Sequence, residues 1–312
     1  MRALIVGAAG FVGPYLVREI RETLKCSVIA TILPGEKLEI EGAEIRHLDI
    51  LDEQSLYRLL YEERPEYIFH LAALSSVALS WKKPALTMDI NVKGALNLMD
   101  AVRALGLKTT LLMVGSGEEY GHIDPDHVPI KETELLRPGN IYAASKMCQG
   151  MMGAVYAGSY GMRVIMTRSF NHFGPGQSEV FVLSDFCRQA IMMEKGKAEH
   201  VFRTGNLESR RDFTDVRDVV KAYLRLAMFG RAGETYNVGS QNARRIRDLL
   251  DMIIEISGVD ASVETDPARV RPIDVPVIEA DITKIRTETG WSPVIPTEQT
   301  IKDTLDWWRE RL

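Results

Sequence analysis

Cysteine is scarce in this chain of 312 residues: Cys26, Cys148 and Cys187 are odd in number and far apart. Such spacing fits neither a disulfide framework nor a zinc site, so no metal is expected. It suits a reducing compartment, which makes a cytoplasmic location the expectation. Long apolar runs are missing too. The longest uncharged stretch, between Lys146 and Arg163, carries Gln149, Ser159, two tyrosines and several glycines; it falls short of the roughly 20 apolar residues that span a bilayer. Arg2 and the apolar residues up to Gly13 imitate a secretory signal, but they offer no small-residue cleavage site and their glycines are regularly spaced, so they read as folded structure. Basic residues gather no further than pairs such as Arg210-Arg211 and Arg244-Arg245, and 43 acidic against 38 basic side chains leave a net charge of −5. Nucleic acid is therefore not an expected partner. Internal repeats and low-complexity segments are absent as well.

What is present is an ordinary globular composition, with 46% hydrophobic residues in a length that suggests two domains or one large domain with an appended lobe. Short apolar runs at Ala3–Val6, Val28–Thr31, Ile45–Leu48, Tyr67–Ala72, Thr110–Val114 and Arg163–Thr167 read as strands. Segments of helical period lie between them, the alternation that an α/β fold with a parallel sheet covered on both faces produces. Phe11–Leu24 spaces Val12, Leu16, Ile20 and Leu24 four apart, and Asp52 is a fair N-cap for Glu53–Glu63, which Pro65 ends. Further helices are predicted from about Pro84 to Leu105 and from about Tyr142 to Tyr160. After Asn171 the texture changes at Gly174-Pro175-Gly176. Arg217–Met228, Ile246–Ser257 and Ile301–Leu312 read as helices of a smaller second lobe, and Thr235–Val238 as a strand returning to the main sheet.

Three stretches carry chemistry. The first is Gly7-Ala8-Ala9-Gly10-Phe11-Val12-Gly13, between the opening strand and the first helix. A glycine turn there lets the backbone approach a pyrophosphate, and the helix N-terminus offers unpaired N–H groups to the anion. The plainer alternative is a turn that merely needs positive φ values. At the end of the second strand an acidic residue would accept an adenosine 2′-hydroxyl and an arginine would suit a 2′-phosphate. Thr31-Ile32-Leu33-Pro34 offers neither, which leaves NAD and NADP both open. Asp49, after the third strand, suits an adenine amino group or simply the approach to a helix.

The second is Tyr142-Ala143-Ala144-Ser145-Lys146, whose i, i+4 spacing puts phenol and amine on one helical face. The Lys146 ammonium, together with the positive ring of an oxidised nicotinamide, would stabilise a phenolate and lower the Tyr142 pKa from about 10. The alternative is a solvated helix face. The third is Ser116, in Val114-Gly115-Ser116-Gly117-Glu118-Glu119-Tyr120-Gly121 after the fifth strand. In a parallel sheet the C-terminal strand ends open onto one crevice, so Ser116 and Tyr142 can converge there on one carbonyl oxygen.

Gly7-x-x-Gly10-x-x-Gly13, His70-Leu71-Ala72-Ala73, Asn91, Ser116 and Tyr142-x-x-x-Lys146 together resemble the extended short-chain dehydrogenase/reductase superfamily over the whole chain. Within it, Gly115–Gly121, Arg168–Gln177, Gly205-Asn206-Leu207-Glu208, Arg211–Val216 and Arg271-Pro272 look like the GDP-6-deoxy-D-mannose reductases. The resemblance implies a Rossmann-type doubly wound parallel sheet over residues 1–170, rejoined at about 211–240, and a smaller mixed α/β lobe over 171–312. It places NADP(H) or NAD(H) against Gly7, Gly10, Phe11, Val12, Gly13, Asp49, Ile50, Leu71, Ala72, Ala73, Asn91, Tyr142 and Lys146. It makes Ser116, Tyr142 and Lys146 catalytic in reducing GDP-4-dehydro-6-deoxy-D-mannose to GDP-D-rhamnose, with Asn91 near the proton path. Asn171, Asn206, Arg211, Arg271 and Asp274 match positions that hold the sugar nucleotide. Chemistry agrees for the arginines, because a guanidinium presents donors in a plane that fits phosphate oxygens.

Glu118 sustains a rival reading. The resemblance to GDP-mannose 4,6-dehydratases puts a proton-abstracting glutamate at its spacing from Ser116, whereas in a reductase it only positions a sugar hydroxyl. Against a dehydratase, the N-terminal loop lacks the Gln-Asp-Gly pattern common in those enzymes, and the double glutamate looks like the reductase. Epimerising synthases are disfavoured, since Glu118 replaces their cysteine, and a non-catalytic cofactor-sensing protein is disfavoured by the complete Ser, Tyr and Lys set. Relatives pair two helices across a two-fold axis, so the resemblance implies a homodimer through Thr87–Leu105 and Tyr142–Tyr160, with Leu96, Met99, Met151, Met152 and Val155 as candidates for the interface or for the core.

Overall fold

The computed structural model describes residues 1–269 and 275–312. Its strands are β1 (Arg2–Val6), β2 (Ser27–Ile32), β3 (Ala43–His47), β4 (Tyr67–His70), β5 (Thr110–Ser116), β6 (Arg163–Ser169), β7 (Asn171–Phe173), β8 (Val201–Thr204), β9 (Arg210–Asp215), β10 (Thr235–Val238), β11 (Ala243–Arg245), β12 (Ser262–Thr265) and β13 (Val277–Ile278). The helices are α1 (Gly13–Thr23), α2 (Glu53–Glu63), α3 (Val77–Lys82), α4 (Pro84–Met88), α5 (Gly94–Ala104), α6 (Ile141–Tyr160), α7 (Val182–Glu194), α8 (Val216–Phe229), α9 (Ile246–Ser257), α10 (Thr283–Thr289) and α11 (Thr297–Arg309).

Seven parallel strands form the main sheet in the order β10-β6-β5-β4-β1-β2-β3. It is the parallel sheet that the alternating pattern predicts, with the doubly wound order that the resemblance implies. Strand residues alternate between two apolar layers: Ala3 and Ile5 face Leu16, Ile20, Val219 and Tyr223 of α1 and α8. Leu4 and Val6 face Leu56, Leu98, Met99 and Tyr156 of α2, α5 and α6. Both faces are covered, which is why these strands read as continuous apolar runs. A third cluster joins α7, α9 and α11 through Phe186, Leu249, Leu305 and Trp308. Beside it a ribbon of β11, β9 and β13 extends from β7.

Local chemistry sets the element ends. The Asp52 carboxylate accepts the Ser55 N–H at 3.1 Å and starts α2, and Arg64 closes it in the left-handed conformation just before Pro65. The helix predicted over Pro84–Leu105 is broken by a π turn at Asp89–Lys93. There Asn91 turns inward and its Oδ1 accepts the Leu74 N–H at 2.8 Å; a π turn often marks a functional position. Of the candidate interface residues, Met99 is in the core and Leu96 and Met152 pack against it, while Met151 and Val155 are exposed on α6.

Candidate active site

The strand order reverses between β1 and β4, and the crevice at such a switch point is where an α/β sheet binds its ligand. The glycine turn lies at that point and each glycine has a separate task. Gly7 sits at φ +86°, and a Cβ there would stand 2.5 Å from the Ala72 backbone. Gly13 seats α1 on the turn, since its Cβ would fall 2.0 Å from the Ala8 carbonyl oxygen. Gly10 is exposed and has nothing within 4 Å of a built Cβ, which leaves its backbone open to an incoming anion. These are the three roles that a dinucleotide turn needs, so the residues present fit such a group. The Val6 carbonyl accepts the Leu71 and Ala72 N–H groups at 2.9 and 2.8 Å and ties the fourth strand's end to the first; Ala73 follows, half-buried.

The Thr31 hydroxyl accepts the Gly7 N–H at 3.1 Å, so the end of β2 braces the turn. Asp49 is exposed and its carboxylate accepts the Leu51 N–H at 2.9 Å, while buried Ile50 packs against Gly94. Phe11 points away from the turn to β7, where its ring lies parallel to His172 at a centroid distance of 6.2 Å. Val12 packs against the sheet core beneath it.

At the ends of β5 and α6 the structure brings Ser116, Glu118, Tyr142 and Lys146 together. Asn140 caps α6 by accepting the Ala143 N–H at 2.8 Å, and its Nδ2 donates to Glu118 at 3.2 Å. Buried Ser80 accepts the Tyr142 N–H at 3.3 Å. Asn91 Nδ2 donates to Ser145 Oγ at 2.9 Å, which links the π turn to the same helix. Lys146 is 2% exposed, and its ammonium donates to the Val114 carbonyl at 2.8 Å and to Gln149 at 3.1 Å.

The electrostatics differ from the acidified phenol that the i, i+4 spacing predicts. Burial pushes Tyr142 up to about 12; a hydrogen bond with Ser116 opposes this, and Glu119 and Glu118 add to it. Burial brings Lys146 down to about 8, with Glu119 pulling it back up. Without a dinucleotide's charge, the protein groups therefore hold a neutral phenol and, one helical turn on, an ammonium at neutral pH. His70, fully buried beneath them, is driven to about 3 by burial and by Lys146, so its imidazole is neutral.

Asn171 is exposed at the start of β7 and Asn206 lies in an exposed turn after β8, its Oδ1 accepting the Glu208 N–H at 2.9 Å. Arg211 lies on β9, its guanidinium donating to the carbonyls of Arg210 and Val275 at 2.9 and 2.7 Å. Arg271 and Asp274 lie outside the described residues. The sequence reading passed over Asn140, Ser145 and Gln149. Asn140 was recoverable as an N-cap two residues before Tyr142; the other two are visible only once the helix face is known.

A family model described as GDP-mannose 4,6 dehydratase matches residues 4–304. The chain is 33% identical over 311 residues to a GDP-6-deoxy-D-mannose reductase of Pseudomonas aeruginosa, covering 100% of this chain and 98% of that protein. It is 27% identical over 291 residues to a GDP-mannose 4,6-dehydratase of Vibrio cholerae, covering 83% of this chain and 77% of that protein. Among solved structures, RMD from Pseudomonas aeruginosa complexed with NADPH superposes with a TM-score of 0.89 at 32% identity, covering 100% of this chain and 99% of that one. A UDP-glucose 4-epimerase from Thermotoga maritima with UDP-glucose superposes with a TM-score of 0.91 at 30% identity, with 99% of both chains covered.

Proposed function

The chain belongs to the GDP-mannose 4,6 dehydratase family within the extended short-chain dehydrogenases/reductases, and from that premise we propose that it reduces the C4 ketone of GDP-4-dehydro-6-deoxy-D-mannose to GDP-6-deoxy-D-mannose. The N-terminal lobe binds NADP(H) or NAD(H) through the Gly7–Gly13 turn and the β4 end, and the C-terminal lobe takes the sugar nucleotide through Asn171, Asn206 and Arg211. When bound, the reduced dinucleotide supplies a hydride. Ser116 holds the ketone oxygen and Tyr142 gives that oxygen its proton, while Lys146 keeps the phenol's surroundings positive as charge develops.

One observation carries this reading: Ser116 and Tyr142 meet at the crevice one helical turn from a buried ammonium, with the phenol neutral and able to donate. The substrate's identity rests on likeness to the reductase along its full length. The test is NADPH absorbance with the keto-sugar nucleotide, followed by NMR of the product. Tyr142→Phe should cut turnover by roughly 10²–10⁴-fold while sparing cofactor affinity; near-normal turnover in that variant removes the assignment.

A dehydratase reading is kept by Glu118, which is half-buried, two residues from Ser116, and acts on the Tyr142 phenol. Conversion of GDP-mannose in the presence of NADP, lost in Glu118→Gln, would select it. A homodimer is proposed through exposed Met88 on α4 and Met151 and Val155 on α6, checked by light scattering of the wild type against Met151→Glu. The cysteine usage supports a cytoplasmic location for this chemistry.

A further inference from the structure

Glu119, the second glutamate of the pair after Ser116, is 2% exposed and sits deeper than Glu118. One carboxylate oxygen accepts the Ser116 N–H at 2.8 Å and the other accepts Arg168 Nε at 3.1 Å. Two donors on two oxygens is the pattern of an ionised carboxylate. The fold makes room for it: a Cβ at Gly115 would stand 2.5 Å from Glu119 Oε1, and a Cβ at Gly150 on α6 would stand 3.9 Å from the other oxygen. Arg168 is itself anchored, donating at 3.1 Å to both the Tyr120 hydroxyl and the Glu132 carbonyl. The Tyr120 hydroxyl in turn donates to Asn237 at 2.7 Å. A continuous hydrogen-bonded chain therefore runs from Ser116 across β5 and β6 to β10.

We propose that Glu119 is a positioning residue for the reduction: its buried charge, fixed between the Ser116 backbone and Arg168, is the counter-charge of the Lys146 and Tyr142 pair. This inference rests on Ser116, Tyr142 and Lys146 being the reacting set. The pair is faced by His70 from β4, Glu118 and Glu119 from the turn after β5 and Tyr223 from α8, while Arg168 from β6 faces Glu119 itself. His70 is neutral and Glu118 is held by Asn140. Glu119 acts on both members, raising the Lys146 ammonium and the Tyr142 phenol alike. Both effects favour the protonated state, and a reduction needs that state at the start of every turnover. The carboxyl is raised by its own burial, which Arg168, the Ser116 N–H and Lys146 oppose.

Glu119→Gln tests this, because glutamine keeps an oxygen for the Ser116 N–H and removes only the charge. Its amide nitrogen would face Arg168, so Glu119→Gln/Arg168→Gln serves as the variant free of that donor conflict. Two readouts are taken. The first needs no substrate: NMR titration of lysine ¹³Cε in labelled protein, with Lys146 assigned by its loss in Lys146→Met. The second is the alkaline limb of kcat against pH for reduction of the keto-sugar nucleotide. In both, the midpoint should fall by on the order of one pH unit in the single variant and by less in the double variant, where loss of the Arg168 positive charge offsets part of the change. Midpoints that coincide with wild type, in variants that fold and reduce the sugar, overturn the inference and leave the functional reading intact. A lowered Lys146 midpoint in a protein that leaves the keto sugar unreduced supports the electrostatic role and removes the reductase reading instead.

Discussion

The glycine turn before α1 and the arginine ribbon of β9 and β11 are both proposed to meet phosphates, and they are built from opposite materials. No charged residue occurs from Ala3 to Val17. The turn offers only backbone N–H groups, a helix N-terminus and space. In the ribbon, antiparallel register sets Arg211 opposite Arg244 and Arg210 opposite Arg245. Like charges directly opposite destabilise a strand pair, and neighbouring groups offset them here. Arg245 pairs with Asp248 at 2.7 Å and Arg244 with Glu298 at 3.0 Å, while Arg210 donates to the Ala243 carbonyl at 3.0 Å. Buried Asp212, between the two faces, accepts N–H groups from Ser240, Gln241 and Ala280 and pins the ribbon to the loops behind it. The first region excludes side chains and the second depends on them. Steric changes should therefore disable one and charge changes the other.

The largest expected effect is steric. Gly13→Ala places a methyl 2.0 Å from the Ala8 carbonyl oxygen, a backbone atom that cannot swing aside. Overpacking of this kind costs on the order of 3 kcal/mol, which should lower the melting temperature by roughly 5–10 °C, with dinucleotide binding lost along with it. A melting curve that overlays the wild type would mean that α1 can slide, and the contrast between the regions would fail. Next comes charge. Arg211→Met should weaken sugar-nucleotide binding roughly tenfold to a hundredfold, the worth of a charge-assisted hydrogen bond, and leave the dinucleotide constant unchanged; calorimetry with each ligand separates the two. Equal losses for both ligands would merge the regions into one site.

The two regions were not equally legible. The turn could be read because its signal is local: a strand-length apolar run, three glycines and a helical period in sequence. Asp52 and Pro65 marked the ends of α2 for the same reason. The π turn at Asp89–Lys93 was hidden because apolar periodicity continues through it, and the inward turn of Asn91 is decided by the Leu74 backbone, seventeen residues away. α7 was missed although Leu183, Phe186, Cys187, Ala190 and Ile191 lie on its buried side. The pairing of the Arg210-Arg211 and Arg244-Arg245 doublets follows from strand register, which no local pattern encodes. Glu119 stands between these cases. Its capping box with Ser116 is a short pattern open to inspection, but its partner Arg168 lies forty-nine residues on and only the fold joins them.

The smallest expected effect sharpens the comparison most, because it concerns a glycine with no packing duty. Gly10 is exposed and a Cβ there meets nothing within 4 Å. Its φ lies outside the left-handed region, so alanine is unstrained. Gly10→Ala should therefore leave the melting temperature of the apo protein near its wild-type value, as surface substitutions within about 0.5 kcal/mol do. The new methyl nevertheless stands where an anion's oxygens would come to the backbone, and the dinucleotide constant should weaken by about tenfold, or 1.4 kcal/mol. Gly13 and Gly10 then separate two functions three residues apart: one glycine is required by the fold, the other by the ligand. A loss of stability in Gly10→Ala equal to that of Gly13→Ala would show that the whole turn is structural, and it would move the phosphate site elsewhere along the crevice.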